Sequence, residues 1–362
     1  MAVSQQPIRV QALPKYSRLG ASSRLRIFQY LPYLAEAGFQ LAAAPFFTDE
    51  YLHVLNQDRS PSWKLIGDAY RKRWKVVRTF SADSLIWLEY EFFPWLPAWL
   101  EPLSPRQTAR LVVEYDDAVF HRYDRHRAFW VRWLLGRKID RIMSRSRLVI
   151  AGNQYLADRA LQAGASRVEV IPTAVDLDRY RLRNREPEAE FRIGWIGSSS
   201  TAQYLELVKE PLQALLSKGR CRFMLIGGRP LNWDLPGLEF LQWSEEKETS
   251  YLATLDVGIM PLPDDLWARG KCGYKLIQYM AAGLPVVASP VGVNQILVDG
   301  NNGFLARSAK EWIHALEALR DHPELRHSMG EAGRRKVELE YCTRVTAPRL
   351  VRLFQEIAVG KI

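Results

Sequence analysis

The chain has 362 residues, which at roughly 100–200 residues per domain indicates two domains, or three at most. It is 48% hydrophobic and 25% charged, so it can bury large cores, and global disorder is excluded. Lys and Arg number 50 against 40 Asp and Glu, and the net charge of +10 favours nucleic acid, an anionic membrane face or phosphorylated small molecules as partners. The three cysteines are too few and too scattered for a disulfide framework or a Cys-based metal site.

The N-terminal segment, MAVSQQPIRVQALP, lacks the basic start and the apolar run of a signal peptide. No stretch reaches the roughly 18 apolar residues needed to cross a bilayer. We therefore expect a cytoplasmic protein. The basic excess and the 12 tryptophans leave peripheral attachment to the inner face of the cell membrane open.

Short β-branched or aromatic runs alternate with longer helical patterns in both halves of the chain. This alternation predicts an α/β protein with two units, each built on a parallel sheet. In the first half the predicted strands are residues 8–13, 39–47, 84–90, 111–115, 148–151 and 168–171. In the second half they are residues 191–196, 222–226, 238–243, 257–261, 285–289 and 303–306.

The polar, proline-containing segment 181–190, RLRNREPEAE, is predicted to link the two units. The expected domains are residues 1–185 and 186–345. A last helix, residues 346–362, is expected to open on Pro348 and to pack back towards the N-terminal domain. In open parallel sheets ligands bind outside the carboxyl ends of the strands, so a site is expected in the cleft between the units.

The first candidate site follows the strand that opens the second half. Gly197 and residues 198–201 (Ser198, Ser199, Ser200 and Thr201) form a turn of small residues before a helix. Backbone N–H groups, hydroxyls and the positive end of a helix dipole together favour an anion such as a phosphate. An ordinary capped turn has the same residues, and the segment matches neither the Walker nor the GxGxxG pattern.

A stronger signal lies in residues 262–294, where Arg269, Lys271 and Lys275 surround the start of a helix predicted at 271–282. Lys271 and Lys275 would share one face of a helix that begins near Lys271, with Gln278 close to that face. Cations oppose the dipole at a helix start, and a bound anion would resolve that conflict. A close charge pair near a surface is worth about 4 kcal/mol at an effective dielectric of 20. Solvated surface lysines are the alternative.

Residues 278–289, QYMAAGLPVVAS, resemble the donor-binding region of the GT-B fold glycosyltransferases of family 4, the glycosyl transferases of group 1. In that family the helix carries the pattern E-A/Y-M-A-x-G-x-P-V-V-A-S. The resemblance extends over roughly residues 190–345, with weaker similarities at 20–24, 151–157 and 171–176. It implies two Rossmann-like domains facing each other across a cleft, with the acceptor bound by the N-terminal domain and the nucleotide-sugar by the C-terminal domain.

The resemblance also implies an activity: transfer of a sugar, with retention of configuration, from a nucleotide-sugar to a glycan or lipid-linked acceptor in cell-envelope polysaccharide biosynthesis. No metal or other cofactor is expected, because Lys271 and Lys275 would stabilise the leaving diphosphate. Further contacts to the diphosphate are expected from Gly20, Ser198, Ser199, Ser200, Thr201 and Arg269. Contacts to the nucleotide and its ribose are expected from Gln278, Gly228 and Asn294.

The sequence departs from the family pattern at two glutamates that normally stand eight positions apart. Gly270 takes the place of the first, and Gln278 takes the place of the second, which normally receives the ribose hydroxyls. A glutamine accepts such a bond but brings no charge. The family's usual Arg and Lys after the first C-domain strand are also replaced, by residues 198–202. Two alternatives share these features, a sugar-nucleotide epimerase of the same architecture and a degenerate GT-B binding or scaffold subunit.

In the N-terminal half, a buried strand runs into Asp116 and Asp117, and His121 follows four residues later. Carboxylates and an imidazole at a strand's carboxyl end are typical of an edge that contacts a sugar or a metal. In the resembling family this edge faces the transferred sugar, so Asp117 and His121 are predicted to bind sugar hydroxyls or to stabilise charge at the anomeric carbon. A capping Asp with a surface His is the alternative, and two acids with one His make no convincing metal site.

Two further basic segments stand in the N-terminal half. Residues 20–26, GASSRLR, would let a backbone approach a diphosphate closely, with charge from Arg24 or Arg26; a helix start capped by Ser22 or Ser23 is the alternative.

Residues 121–147 hold nine Lys or Arg against two Asp, with Phe129, Trp130 and Trp133 among them. Residues 71–75 and 91–100 add further cations and tryptophans. Basic helices with Trp favour an anionic membrane surface, whereas no groove-reading element supports nucleic acid. A solvated helix face is the alternative.

Overall fold

The computed structural model describes residues 8–57, 59–81, 83–180, 182 and 190–360. These residues form two compact units. The N-terminal unit contains the chain up to Thr173, the short segment Gly270–Cys272 and the chain from Thr346 onwards. The C-terminal unit contains Ala174–Arg269 and Gly273–Val345. The predicted linker, apart from Leu182 and Glu190, and the expected boundary at 185/186 lie outside the described residues, as does the start of the chain.

The N-terminal unit is built on a sheet of parallel strands. Its strands are β1 (Arg9–Leu13), β2 (Gln40–Ala43), β3 (Leu85–Glu89), β4 (Leu111–Tyr115), β5 (Leu148–Ala151) and β6 (Val168–Val170). Its α-helices before Thr173 are α1 (Ala21–Arg26), α2 (Leu31–Glu36), α3 (Asp49–Asn56), α4 (Trp63–Arg78), α5 (Pro105–Thr108), α6 (His121–Asp124), α7 (Phe129–Leu135), α8 (Lys138–Arg145) and α9 (Gln154–Gln162), and 3-10 turns lie at Phe28–Tyr30 and Ala98–Leu100. The strand order is β2-β1-β3-β4-β5-β6.

The central strands of this sheet are continuous apolar runs because both of their faces are covered. Every residue of β3, β4 and β5 is buried. Val112 pairs with Trp87 on one side and with Leu148 on the other. The order of the strands places the carboxyl ends of β1, β3 and β4 next to one another, which determines the site described below.

The C-terminal unit repeats this architecture. Its strands are β7 (Phe191–Ile196), β8 (Cys221–Ile226), β9 (Leu238–Leu241), β10 (Val257–Met260), β11 (Val286–Ala288) and β12 (Gly303–Leu305), in the order β12-β11-β10-β7-β8-β9 and all parallel. Its α-helices are α10 (Ser199–Ala202), α11 (Lys209–Leu216), α12 (Glu248–Leu252), α13 (Leu266–Arg269), α14 (Tyr274–Ala281), α15 (Asn294–Leu297), α16 (Ala309–Asp321) and α17 (Pro323–Glu340), and 3-10 turns lie at Leu177–Arg179 and Gln203–Val208. Each strand predicted from the sequence is present, so the predicted two-unit parallel α/β architecture is confirmed.

Two helix boundaries differ from the prediction. The helix predicted to begin at Lys271 begins at Tyr274, because Gly273 before it has a left-handed φ of 67° that a helix does not continue through. The last helix, α18 (Thr343–Ala358), begins before Pro348 and contains it, so the expectation that it opens on that proline is wrong. From Thr346 onwards α18 belongs to the N-terminal unit, where Phe354 meets the ring of Trp87 edge-on at 5.1 Å.

Across the described ranges, we find no helix with the length and apolar character needed to span a membrane.

Candidate functional site

Lys275 is held at the carboxyl edge of the C-terminal sheet. It lies in the first turn of α14, and its ammonium lies 4.1 Å from the ring centroid of Trp195, a buried residue of β7. Its Nζ donates a hydrogen bond to Oγ1 of Thr201 at 3.2 Å. A Cβ built on Gly197 would lie only 2.6 Å from that Nζ, so the glycine leaves the room that the ammonium occupies. The cation is therefore fixed beside the end of β7.

The hydroxyl that contacts this ammonium, that of Thr201, belongs to a group of neighbouring hydroxyls. Ser198 Oγ lies 3.0 Å from Ser200 Oγ and 3.4 Å from Thr201 Oγ1, at the start of the short helix α10. Ser198 and Ser200 are exposed, whereas Ser199 and Thr201 are half-buried. Hydroxyls that already exchange hydrogen bonds can rotate to donate to an anion. The predicted turn of residues 198–201 and the predicted Lys275 are thus brought together.

Gly228 lies against the same turn. It follows β8 with a left-handed φ of 72°, and a Cβ built on it would lie 3.6 Å from the carbonyl of Ser198. Gly227 before it has a φ of 76°, and its Cβ would meet the carbonyl of Gly197 at 2.6 Å. Only glycines let the end of β8 approach the end of β7 this closely. A predicted nucleotide contact therefore lies beside the predicted phosphate turn.

Gln278 and Asn294, the other predicted nucleotide contacts, are buried. Gln278 is 2% exposed, and its Nε2 donates to the hydroxyl of Tyr180 at 3.2 Å. The Nδ2 of Asn294 donates to the carbonyl of Ser289 at 3.0 Å, while its Oδ1 accepts no hydrogen bond from the described residues. Both side chains are buried within the C-terminal unit, and their contact with a nucleotide stays a prediction.

Arg269 and Lys271 are placed differently from Lys275. Arg269 ends α13, and its Nε donates to Oδ1 of Asp264 at 2.8 Å on the surface. Lys271 precedes α14 and belongs to the N-terminal unit, where its Nζ lies 3.8 Å from Oδ2 of Asp117. The prediction that Lys271 and Lys275 share a helix face is therefore wrong, because the left-handed Gly273 starts the helix after Lys271.

The segment that carries Lys271 is attached to the N-terminal sheet by specific contacts. Asn153 Nδ2 donates to the carbonyls of Gly270 and Lys271 at 2.9 Å and 3.0 Å. The Sγ of Cys272 donates to the carbonyl of Asp116 at 3.1 Å. A Cβ on Gly152 would lie 2.4 Å from that sulfur, so a glycine is required there. Two residues of the weakly similar segment 151–157 thus hold Lys271 at the end of β4.

Glu89 organises the loop after β1. Its Oε2 accepts hydrogen bonds from the backbone N–H of Lys15 at 2.7 Å and from Oγ of Ser23 at 2.5 Å, and its Oε1 accepts from Oγ of Ser22 at 2.8 Å. Ser22 and Ser23 therefore bind this carboxylate instead of capping α1. Burial, with a contribution from the charge of Asp116, raises the pKa of Glu89. The carboxylate is a buried anchor rather than an open ligand.

Asp116 and Asp117 lie at the same edge. Ser22 Oγ also lies 2.7 Å from Oδ1 of Asp116, so its single proton is shared between this oxygen and Oε1 of Glu89, and the hydroxyl of Tyr90 donates to the same Oδ1. Burial raises the pKa of Asp117, and the ammonium of Lys271 opposes that rise. Tyr90 has a left-handed φ of 63°, which is uncommon for a tyrosine. We call Ser22, Glu89, Tyr90, Asp116 and Asp117 the edge cluster.

His121 contacts other groups. Its Nδ1 lies 2.8 Å from Oδ1 of Asp124, and its Nε2 lies 2.7 Å from the hydroxyl of Tyr155. Both ring nitrogens are therefore engaged away from Asp116 and Asp117. The imidazole of His121 faces Asp124 and Tyr155 in these contacts, and the predicted roles of His121 and Asp117 at the sugar stay predictions.

Gly20 and Arg26, considered for the diphosphate, serve packing in the structure. Gly20 is buried, and a Cβ on it would lie 2.4 Å from the Cβ of Tyr16. Arg26 is 2% exposed and pairs with Glu114 through its Nε at 2.9 Å and its Nη2 at 2.5 Å. The suggestion that Arg26 supplies charge to a diphosphate is wrong, since that charge is already paired inside the unit.

We did not predict from the sequence that Lys15, Glu89 and Tyr90 lie at this edge of the sheet. The signal that singled out Asp116, a polar residue directly after an apolar strand, applies equally to Lys15 after β1 and to Glu89 and Tyr90 at the end of β3. Within the described ranges, no group of three or more His, Cys, Asp and Glu side chains is placed to hold a metal ion.

Residues 190–322 match the family model described as "Glycosyl transferases group 1". The resemblance to that family is therefore confirmed over this segment, which contains the Lys275 site. Residues 191–196, the turn at 198–201 and the whole of α14 lie inside it.

Two curated relatives match part of the chain. The putative teichuronic acid biosynthesis glycosyltransferase TuaH of Bacillus subtilis is 26% identical over 168 residues, which cover 41% of this chain and 42% of that protein. The alpha-D-kanosaminyltransferase of Streptomyces kanamyceticus is 24% identical over 197 residues, which cover 50% of this chain and 48% of that protein. The matched segments thus span less than half of either relative.

Solved structures match nearly the whole chain. The sucrose-phosphate synthase of Thermosynechococcus elongatus superposes with a TM-score of 0.67 at 15% identity, over 98% of this chain and 100% of that one. Anabaena HepE, solved in complex with UDP and glucose, gives a TM-score of 0.67 at 15% identity, over 96% of this chain and 99% of that one. Together with the two parallel sheets, these likenesses show the GT-B fold.

Proposed function

We propose that the protein is a retaining glycosyltransferase that moves a sugar from a nucleotide-sugar donor to a glycan or lipid-linked acceptor. The observation that carries the proposal is the Lys275 site: a fixed ammonium, among the hydroxyls of residues 198–201, inside the segment that matches the glycosyl transferases of group 1. The names of the two relatives support the reaction class. The name of the Bacillus subtilis relative supports a role in cell-envelope polysaccharide biosynthesis.

The chemistry of this site favours departure of a diphosphate. As the bond between the anomeric carbon and the diphosphate oxygen breaks, negative charge grows on the leaving group. Lys275 and the hydroxyls of Ser198 and Thr201 are proposed to stabilise this charge, and electrostatic stabilisation of this kind is the largest single contribution to catalysis in many enzymes. The acceptor hydroxyl then attacks the anomeric carbon, and its proton passes to an oxygen of the departing phosphate. Retention of configuration follows the family resemblance.

The other residues predicted to contact the donor differ in how well their positions suit that role. Gly228 lies beside Ser198 and is proposed to let the nucleotide approach the backbone. Gln278 and Asn294, which are buried in the C-terminal unit, are proposed to contact the ribose or the base. Arg269 would have to leave Asp264 to reach a phosphate, and Gly20 would have to act through its backbone. Lys271 is proposed to act together with Asp117, beside the transferred sugar.

Turnover of candidate nucleotide-sugars, starting with UDP-glucose because the HepE structure contains UDP, tests the proposal. We expect nucleotide release that depends on an added acceptor and a product with the donor's anomeric configuration, observed by NMR. Formation of an epimerised nucleotide-sugar would contradict the proposal and identify the protein as a sugar-nucleotide epimerase. Nucleotide binding without any turnover would favour a binding or scaffold subunit.

Removal of divalent ions is expected to leave the rate unchanged. Lys275 already places a positive charge where a metal ion would otherwise neutralise the diphosphate. The measurement is turnover after treatment with EDTA and desalting, compared with the same sample supplied with magnesium. Complete loss that magnesium restores would contradict the metal-free mechanism.

We also propose that the protein works at the inner face of the cell membrane. The N-terminal unit exposes large aromatic side chains: Trp63, Trp74, Trp95, Trp99, Phe129, Trp130 and Trp133. Two of these side chains lie near Phe93: the ring of Trp74 packs on it at 5.5 Å, and Trp95 stands two residues after it. Lys138 of α8, the helix that follows α7, donates to the carbonyl of Phe93. Exposed arginines and lysines lie on the helices that carry these rings and on the next one: Lys64, Arg71, Lys72, Lys75 and Arg78 on α4, Arg132 on α7, and Arg137 and Arg141 at the start of α8 and on it.

Such a surface fits an anionic bilayer, where rings insert at the headgroup level and each Lys or Arg adds about 1 kcal/mol. We expect the Trp130→Ala/Trp133→Ala variant to lose roughly tenfold or more of its partitioning onto vesicles that contain phosphatidylglycerol. Leu339→Ala, on an exposed leucine of α17, is the matched control and should partition like the wild type. Co-sedimentation at low salt is the measurement. If the wild-type protein does not bind these vesicles, the membrane proposal is wrong and the basic helices form a solvated surface.

A further inference from the structure

Glu248, at the start of α12, is a buried glutamate that the proposed reaction does not use. It is 2% exposed, although glutamate is among the residues that are least often fully buried. The indole Nε1 of Trp243 donates to its Oε2 at 2.9 Å, and the hydroxyl of Tyr180 donates to its Oε1 at 3.4 Å. Two neutral donors therefore fix the orientation of this carboxylate.

The carboxylate sets the direction of the next hydrogen bond. A carboxylate only accepts, so the hydroxyl of Tyr180 must give its single proton to Glu248 and can then only accept from Gln278. Nε2 of Gln278 donates to it at 3.2 Å. Burial, followed by the charge of Glu248, raises the pKa of this hydroxyl, so the proton stays on the tyrosine. The nitrogen end of the Gln278 amide therefore faces Tyr180, and its oxygen faces away.

This arrangement explains why a glutamine stands where the resembling family has a glutamate. The side chains of Glu248 and Gln278 both lie within 3.4 Å of one phenol oxygen. A glutamate at position 278 would have no N–H to donate, and the phenol has only one proton for two carboxylates. One buried carboxylate would then lack a donor, which is unfavourable. Glu248 and Gln278 are therefore a matched pair in which the negative charge lies on Glu248.

We propose that Glu248 and Tyr180 are positioning residues that turn the amide oxygen of Gln278 towards the nucleotide, where it accepts a hydrogen bond from a ribose hydroxyl. The inference rests on the proposed function, in which Gln278 contacts the donor nucleotide. An amide oxygen accepts hydrogen bonds and donates none, so a nucleotide without ribose hydroxyls offers it no partner. The hydrogen-bond chain from Glu248 should therefore make the site selective for ribonucleotides.

The backbone of Tyr180 is held to α14 independently of this hydroxyl. Arg334 of α17 donates from Nη1 to the carbonyl of Tyr180 at 3.0 Å and to that of Ala281, the last residue of α14, at 2.5 Å. The Tyr180→Phe substitution removes the hydroxyl and keeps the ring and this connection. The variant thus separates the hydrogen-bond chain from the packing around it.

Affinities for ribonucleotides and dideoxynucleotides test the inference in the whole protein. The probes are UDP, ADP and GDP, each compared by calorimetry with its counterpart that lacks both ribose hydroxyls. We expect the wild type to bind the ribonucleotide roughly tenfold more tightly, and Tyr180→Phe and Glu248→Gln to lose most of that preference. Tyr341→Phe, at another buried tyrosine of the C-terminal unit, is the matched control and should keep it.

Moving the charge from position 248 to position 278 tests the pairing by a second route. Gln278→Glu alone is expected to lower the melting temperature, because two carboxylates then share one proton donor. The Glu248→Gln/Gln278→Glu double variant restores one carboxylate and one amide around Tyr180, with the direction of the hydrogen bonds reversed. We expect it to regain most of the lost melting temperature. A double variant that is no more stable than Gln278→Glu would contradict the pairing.

The outcomes separate a positioning role from a structural one. If the melting temperature falls in Tyr180→Phe and Glu248→Gln while both keep the wild-type preference for ribonucleotides, the role is structural only and the inference is overturned. A wild type that binds the two forms of each nucleotide equally would also overturn it. A wild type that binds no nucleoside diphosphate would contradict the proposed function together with the inference, so the two failures can be told apart.

Discussion

In the Lys275→Ala variant, turnover is expected to fall roughly 100-fold to 1,000-fold, the usual effect of removing one preorganised group that stabilises transition-state charge. The ammonium of Lys275 lies 3.2 Å from the hydroxyl of Thr201 and is held by that hydroxyl and by the ring of Trp195. Its loss removes a charge that acts most strongly when the diphosphate departs. The decrease should therefore appear mainly in kcat rather than in KM. Steady-state kinetics with the active nucleotide-sugar is the measurement.

The fold should survive this substitution. Lys275 is half-buried in the first turn of α14, and alanine is a good helix former. Circular dichroism and the melting temperature should match the wild type closely, and Lys310→Ala on α16 provides a control for loss of one positive charge elsewhere. A Lys275→Ala enzyme that turns over at a near-normal rate would disprove the role of this lysine in diphosphate departure.

Arg26→Ala is expected to destabilise the protein by about 3–5 kcal/mol, because it leaves a buried carboxylate without its cation. Arg26 also donates from Nη2 to the carbonyl of Ile171 at 2.8 Å and from Nη1 to Oγ1 of Thr173 at 3.3 Å, so one side chain joins several segments of the N-terminal unit. Its partner Glu114 lies in β4 and is 1% exposed. Chemical denaturation followed by a probe in the N-terminal unit, such as the fluorescence of Trp87, is the measurement.

The pH dependence of this loss has a defined sign. Burial already raises the pKa of Glu114 to about 7 although Arg26 opposes the rise. When folding raises the pKa of a carboxyl, proton binding stabilises the folded state, and this contribution is fully present below the pKa of the unfolded state. It is lost as the pH rises through the pKa of the folded state. The Arg26→Ala variant should therefore be weakest above pH 7 and recover partly in acid. The Arg26→Met/Glu114→Leu double variant, which removes both charges, should recover most of the stability. An Arg26→Ala variant whose free energy of unfolding lies within about 1 kcal/mol of the wild-type value would contradict the importance of the Arg26–Glu114 pair.

The strands could be predicted because each is encoded by one short, contiguous run of residues. Runs such as LVVEY in β4 and FRIGWI in β7 are apolar over the length of a strand and are bounded by polar or small residues. The strand-to-helix turn at residues 198–201 and the lysine on α14 were predictable for the same reason, since each is a short pattern next to an apolar run. The start of α14 was misplaced because no local pattern shows that Gly273 takes a left-handed conformation, at a position where a Cβ would meet Leu297 at 2.2 Å.

The N-terminal site was only partly predictable because its contacts join distant segments. Ser22 binds Glu89 across 67 positions and Asp116 across 94, and Asp117 meets Lys271 through a segment that Asn153 holds across more than 100 positions. The sequence also does not reveal which cations are already paired. Arg26, for example, is neutralised by Glu114 inside the unit.

The central claim, a diphosphate site at Lys275, is tested most directly by the melting temperature of the wild-type and Lys275→Ala proteins with each nucleoside diphosphate in turn. A ligand that binds only the folded protein stabilises it by mass action. We expect at least one nucleoside diphosphate to raise the melting temperature of the wild type, and the Lys275→Ala variant to lose most of this rise while its melting temperature without ligand equals that of the wild type. An equal rise in both proteins, or none in the wild type, would contradict it.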